Sequence, residues 1–177
     1  MDIQQINALD LKQMKRMKNY SLYMVQWGWF VGVIFCLGSF TCFSSLLLLP
    51  AFFFLTYGIS HWYFWTRCRT EQARTCALVD SIFMMVFSGI ATFMVLPIAI
   101  IFFIIAIMLF LGAKQTALWG KDRITYKQLK VAYAARKSGA EVTTAQLPTT
   151  EESNPTATTA AIVLVYIANG LGILNLV

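Results

Sequence analysis

His61 and Asp80 are the two strongly ionisable side chains set inside long apolar runs of this 177-residue chain. An ionisable group surrounded by apolar sequence is a functional candidate when the surrounding solvent is lipid. The chemistry open to the pair is proton relay or charge gating, since an imidazole titrates near neutrality and a neighbouring carboxylate sets its charge. The competing reading is structural. Both residues lie only a few positions from the end of an apolar run, shallow enough to be solvated by headgroups, and an Asp near a helix start can satisfy free N–H groups and the helix dipole.

Other chemistry finds less footing. Cys36, Cys42, Cys68 and Cys76 form no C-x-x-C pair, and one histidine cannot complete a zinc site, so no metal is expected. Cys36 and Cys42 read as small hydrophobes. Cys68 and Cys76 flank a short basic connection, where they read as plain thiols or, in a eukaryotic host, acylation sites. Met84, Met85, Met94 and Met108 lack paired His or Cys at ligand spacing and read as apolar filler. No nucleophile has a base at motif spacing, so neither a catalytic residue nor a cofactor is expected, and the chain reads as non-enzymatic.

Two patterns point to helix packing instead. Gly28 and Gly32 form a GxxxG, whose missing side chains let another backbone approach closely, and Ala168 and Gly172 form a weaker small-xxx-small pair. The GxxxG reads first as a contact within the chain.

The elements that carry these residues follow from composition. At 58% hydrophobic and 12% charged, against about 25% charged in an ordinary soluble domain, the solvent for most of the chain is lipid. Residues 20–65 are nearly unbroken apolar sequence; as one helix they would reach about 69 Å, more than twice a bilayer core, so they must fold back. The small and hydroxylated residues 38–45 mark the corner, with Pro50 early in the returning helix. Residues 76–113 repeat the argument, with a corner at residues 93–97 that carries no polar side chain; its backbone groups need partners if the tip stays in the bilayer.

The expected fold class is therefore all-α, a polytopic integral membrane protein. Two transmembrane hairpins over residues 20–113 have helices near 20–40, 46–65, 76–95 and 97–113. Residues 1–19 form an amphipathic lead-in, residues 114–140 a basic segment with a weak surface helix, residues 141–156 a Thr/Pro linker, and residues 157–177 an apolar segment that either crosses or docks. The continuous apolar run argues against a cleaved signal peptide.

All 14 Lys and Arg fall into three groups: before residue 20, between the hairpins, and from Lys114 to Lys137. Two hairpins put all three on one side, which the positive-inside rule makes cytoplasmic, N-terminus included. Tyr20, Tyr23, Trp27, Trp29, Trp62, Tyr63, Trp65 and Trp119 cluster toward the same ends, as an interfacial aromatic belt would. Lys12, Lys15, Arg16, Lys18, Arg67, Arg69, Arg74, Lys121, Arg123, Lys127, Lys130, Arg136 and Lys137 are then expected to meet anionic lipid headgroups or a docking partner. Nucleic acid is not an expected partner, because the charges lie beside apolar spans without a nucleic-acid fold signature.

The leading functional expectation is an accessory or assembly component of a larger membrane complex, of secretion, conjugation, exclusion or immunity type, in a bacterial inner membrane, with other membrane subunits as partners. A channel or transporter subunit using His61 and Asp80 is the second, and a membrane-shaping hairpin protein the third.

Overall fold

Asp10 caps the long helix that opens the bundle. Its carboxylate accepts a hydrogen bond from the Gln13 N–H at 2.6 Å, while the Gln13 side chain accepts one from the Asp10 N–H, the reciprocal arrangement that satisfies two orphan donors. From there α1 runs unbroken over Leu11–Ser44. Met14, Met17, Ser21, Met24, Gly28, Val31 and Ser39 are buried along it, a three-and-four spacing that keeps one seam facing the rest of the chain.

The computed structural model describes residues 6–94, 99–143, 147–148 and 154–174, and among these it is all-helical, with no strand. After α1 come α2 (Leu48–Arg67), α3 (Glu71–Met94), α4 (Ala99–Lys114), a 3-10 turn (Thr116–Leu118), α5 (Tyr126–Lys137) and α6 (Pro155–Leu174). Two helical stretches, Leu11–Ser44 and Glu71–Thr92, are long and apolar enough to cross a membrane. The 20-residue α2 has the length, but His61, Trp62, Tyr63 and Trp65 dilute the hydropathy of its second half. The helix α4 and the stretch Pro155–Leu171 of α6 are apolar but shorter.

Several boundaries differ from those read in the sequence, each for a local reason. Within the expected lead-in, residues 6–7 are helical, residues 8–10 break the helix, and residues from Leu11 onward are the first turns of α1. The expected corner at residues 38–45 is helical to Ser44, because Thr41, Ser44 and Ser45 turn their hydroxyls back onto carbonyls of their own helix and so need no break. The turn comes one step later. Leu46 takes φ 59°, and the N–H groups of Leu46 and Leu47 donate to the carbonyls of Phe43 and Cys42, a Schellman closure with leucine where glycine is usual.

The polar connection expected over residues 66–75 shrinks to Cys68, Arg69 and Thr70. Thr70 caps α3, its hydroxyl accepting from the Ala73 N–H, and Glu71 sits in the first turn, favourable to the dipole. The second hairpin corner falls largely on residues 95–98, outside the described residues, as does half of the linker.

Five helices form a ring in the order α1, α2, α6, α3, α4, each packed on the next and α4 on α1. The C-terminal α6 is thus wedged between the two hairpins. The short α5 lies outside the ring against α1, with Leu129 and Ala132 buried and the Lys18 ammonium 4.6 Å from the centre of the Tyr133 ring. The three basic groups gather at one end of the bundle, and the main core sits there too, around Phe64, Trp65, Cys68, Cys76, Leu109 and Trp119.

Candidate functional site

Close approach of α1 and α2 sets the position of His61. A Cβ added to Gly28 would stand 2.9 Å from the Cβ of Trp65, and one added to Gly32 would stand 2.8 Å from the Cβ of Trp62. Gly58 answers from α2, with Phe35 Cβ at 2.9 Å. These separations admit no side chain at any of the three positions. The glycine pattern read on α1 therefore serves an intramolecular contact, and its partner Gly58 had no matching motif to betray it. Of the second small pair, Ala168 is buried on α6, while the surroundings of Gly172 lie outside the described residues.

With the helices so placed, His61 on α2 and Asp80 on α3 come side by side. Asp80 Oδ2 accepts a hydrogen bond from Trp65 Nε1 at 2.9 Å, and Oδ1 accepts one from the Asn169 amide of α6 at 3.0 Å. His61 Nε2 stands 3.6 Å from the same Oδ1, ion-pair distance rather than a hydrogen bond. Its Nδ1 lies 3.1 Å from the Tyr57 carbonyl oxygen, and the imidazole stacks on the Tyr57 ring with centroids 3.9 Å apart. His61 is 2% exposed and Asp80 7%.

This geometry constrains the protons. A carbonyl oxygen only accepts, so Nδ1 must carry the hydrogen facing Tyr57. Nε2 is then the ring nitrogen that faces Asp80 Oδ1, without a hydrogen bond of its own.

The pair forms part of the wall of a cavity of about 510 Å³ lined by residues of all five ring helices. Aromatic rings dominate its surface: Trp27, Phe30 and Phe35 from α1, Phe53 and Tyr57 from α2, Phe87 from α3 and Phe102 from α4. His61, Asp80 and Asn169 supply its polar part. A mostly apolar cavity with a few convergent polar groups is the usual form of a small-molecule site, and aromatic faces beside a carboxylate favour a cation.

Three contributors to this site were not singled out as such from the sequence. Trp65 looked like part of the aromatic belt, but its ring is fully buried and its N–H is committed to Asp80. Asn169 interrupts the apolar C-terminal segment and is a partner for the carboxylate; an amide alone in an apolar helix signals a polar partner elsewhere. Tyr57 carried no signal.

The basic residues divide into two kinds. Arg69 is withdrawn from the surface, its guanidinium donating to the carbonyls of Phe64, Trp65 and Cys68 at the end of α2 and lying 5.2 Å from the centre of the Trp119 ring. Arg74 donates to the carbonyls of Ala113 and Lys114 at the end of α4. Both neutralise helix C-termini, and for buried Arg69 a headgroup or docking contact at the surface gives way to this role. Lys12, Lys15, Arg16, Arg67, Lys121, Lys127, Lys130, Arg136 and Lys137 are exposed, and Lys18 and Arg123 half-buried. Cys68 and Cys76 are fully inaccessible core residues, not thiols open to acylation, and burial pushes the Cys68 thiol pKa up. Among the described residues, no three His, Cys, Asp or Glu side chains converge as metal ligands.

No protein-family model, curated protein or solved structure matches this chain.

Proposed function

We propose that the chain is a multi-pass membrane protein, four or five of its helices crossing with the basic end in the cytoplasm. We further propose that it binds a lipophilic cation in the five-helix cavity, as a transporter or channel subunit and not an enzyme. The observation that carries this reading is the placement of Asp80 and His61 on the wall of an aromatic cavity that every ring helix lines.

The membrane setting is supported by what the bundle leaves outside. Leu37 is 61% exposed, Phe40 71% and Leu49 87%, among many large apolar side chains turned outward; a contiguous surface of this kind is at rest in lipid and not in water. The three basic groups at one end agree with the positive-inside rule. The accessory-component reading rests on the absence of catalytic motifs, on small-residue helix faces and on the basic segment as a docking face. In the fold the helix of that segment packs on α1, with Leu129 and Ala132 buried in the core together with Met14 and Met17, which leaves less of its apolar surface for a partner.

The chemistry is an exchange. Asp80 supplies one negative charge on the cavity wall, for which a cation and a proton compete. Affinity therefore rises with pH, because protons compete for the same charge.

The test is binding of tetraphenylphosphonium to the full chain in nanodiscs by titration calorimetry between pH 5.5 and 8.5. The expected result is affinity that climbs with pH, and at least a tenfold loss with flattened pH dependence in Asp80→Asn, which keeps the shape of the side chain. Equal affinity in Asp80→Asn and the unaltered protein would sink the reading. Flux of the same cation into proteoliposomes, driven by a proton gradient, separates a transporter from a binding protein.

A further inference from the structure

We propose that the ligand of the five-helix cavity is a protonated amine that keeps its N–H groups, a primary or secondary ammonium on an apolar body, in preference to a quaternary cation. The inference rests on the cation reading of that cavity and adds to it the kind of cation that the polar wall selects.

That wall is rich in acceptors. Trp65 Nε1 and the Asn169 amide each donate to one carboxylate oxygen of Asp80; an ionised carboxylate has about four lone-pair sites, so about two stay open. His61 Nε2 is buried without a hydrogen-bond partner. A cation seated at Asp80 disfavours a second positive charge on the imidazole, and the neutral ring with its hydrogen on Nδ1 is an acceptor at Nε2. Asn169 gives its amide nitrogen to Asp80, so its carbonyl oxygen, a third acceptor, is turned away from the carboxylate. All three residues line the cavity.

The spacing suits a single nitrogen. His61 Nε2 and Asp80 Oδ1 are 3.6 Å apart, and two N–H groups on one tetrahedral nitrogen reach a pair of acceptors at that separation with bonds of about 2.9 Å, only moderately bent. A quaternary cation has no hydrogen to give and leaves Nε2 buried and unpaired.

Open aromatic faces alone would choose the other way, since cages of such rings favour quaternary ammonium groups. The ring beside His61 is not open. Tyr57 stacks on His61 with centroids 3.9 Å apart and on Phe35 with centroids 4.4 Å apart, and two rings at such distances occupy its two faces. Phe53, Phe87 and Phe102, with Ile34 and Met84, line the same space and suit the apolar body of the ligand.

The experiment is calorimetric titration of the full chain in nanodiscs, corrected with empty nanodiscs, using phenylbutylamine and its trimethylammonium analogue at pH 7. The two share one body and one positive charge. The primary ammonium is the more strongly hydrated, so an apolar site without acceptors would favour the trimethyl compound. The expected result is affinity about tenfold tighter for the primary amine. His61→Phe, which keeps a ring against Tyr57 and removes Nε2, should lower that ratio several-fold, and Asn169→Leu should lower it as well. Equal affinities in the unaltered protein, tighter binding of the trimethyl compound, or an unchanged ratio in both variants would overturn the proposal while tetraphenylphosphonium binding still upholds the cation reading. Binding of neither amine overturns it too, and if tetraphenylphosphonium also fails to bind, the cation reading falls with it.

Discussion

At the basic end, Phe64, Trp65, Cys68, Ala73, Cys76, Leu109 and Ala113 are wholly inaccessible, and the ends of α2 and α4 are closed by Arg69 and Arg74. Toward the opposite end the same helices line a half-open cavity and turn Leu37, Phe40, Ile59, Ile90 and Ile101 outward. The basic end is packed as a water-soluble domain is, with small residues and tryptophans interlocked and carbonyls capped. The other half turns large apolar side chains outward and lines an open space with its inner faces. Dense packing is thus concentrated where the charges are, and Asp80 sits at the junction, hydrogen-bonded to Trp65 of the packed end and facing the space of the other. A bundle built this way can hold an ionisable pair in fixed geometry at the edge of a space a ligand can enter.

The contrast can be broken most severely at Trp65. Trp65→Ala leaves a large cavity in the dense end and removes a donor from Asp80, so a loss of about 3–5 kcal/mol is expected, read as failure to recover monodisperse protein in mild detergent. Next comes the helix seam. Gly32→Val forces α1 off Trp62 and should cost about 1–3 kcal/mol, seen as a lowered melting temperature, whereas Gly170→Val, at a position with nothing near its added Cβ, should change little. Equal effects at the two glycines would mean that the close α1–α2 approach is not what holds the bundle. The smallest effect belongs to the opposite end: Leu46→Gly relieves a left-handed backbone at the first hairpin tip and should stabilise by about 0.5 kcal/mol, a slight rise in melting temperature that leaves cation binding unchanged.

Some of this was readable from single residues. Helical hairpins follow from the ratio of apolar run length to bilayer thickness, and the basic end follows from where Lys and Arg are placed. The start of α3 lies inside the stretch read as a connection because eight of the ten residues from Thr66 to Thr75 are polar; polarity does not distinguish a loop from the capped first turns of a helix, and the cap at Thr70 decides for helix. Arg69 was grouped with the surface cations because a charge count carries no direction, and only the fold turns its guanidinium onto the end of α2.

What the sequence determined by itself, then, is helical class, an apolar exterior and a charge asymmetry, since these depend on composition and on periodicity within a few turns. The tertiary structure alone decided that α6 closes a ring between the hairpins, that Asn169 reaches Asp80 across 89 positions, and that Trp65 and His61 approach it from a third helix. The site exists only where three helices meet, and no one of the three carries all of its polar groups, so no local pattern spells it out.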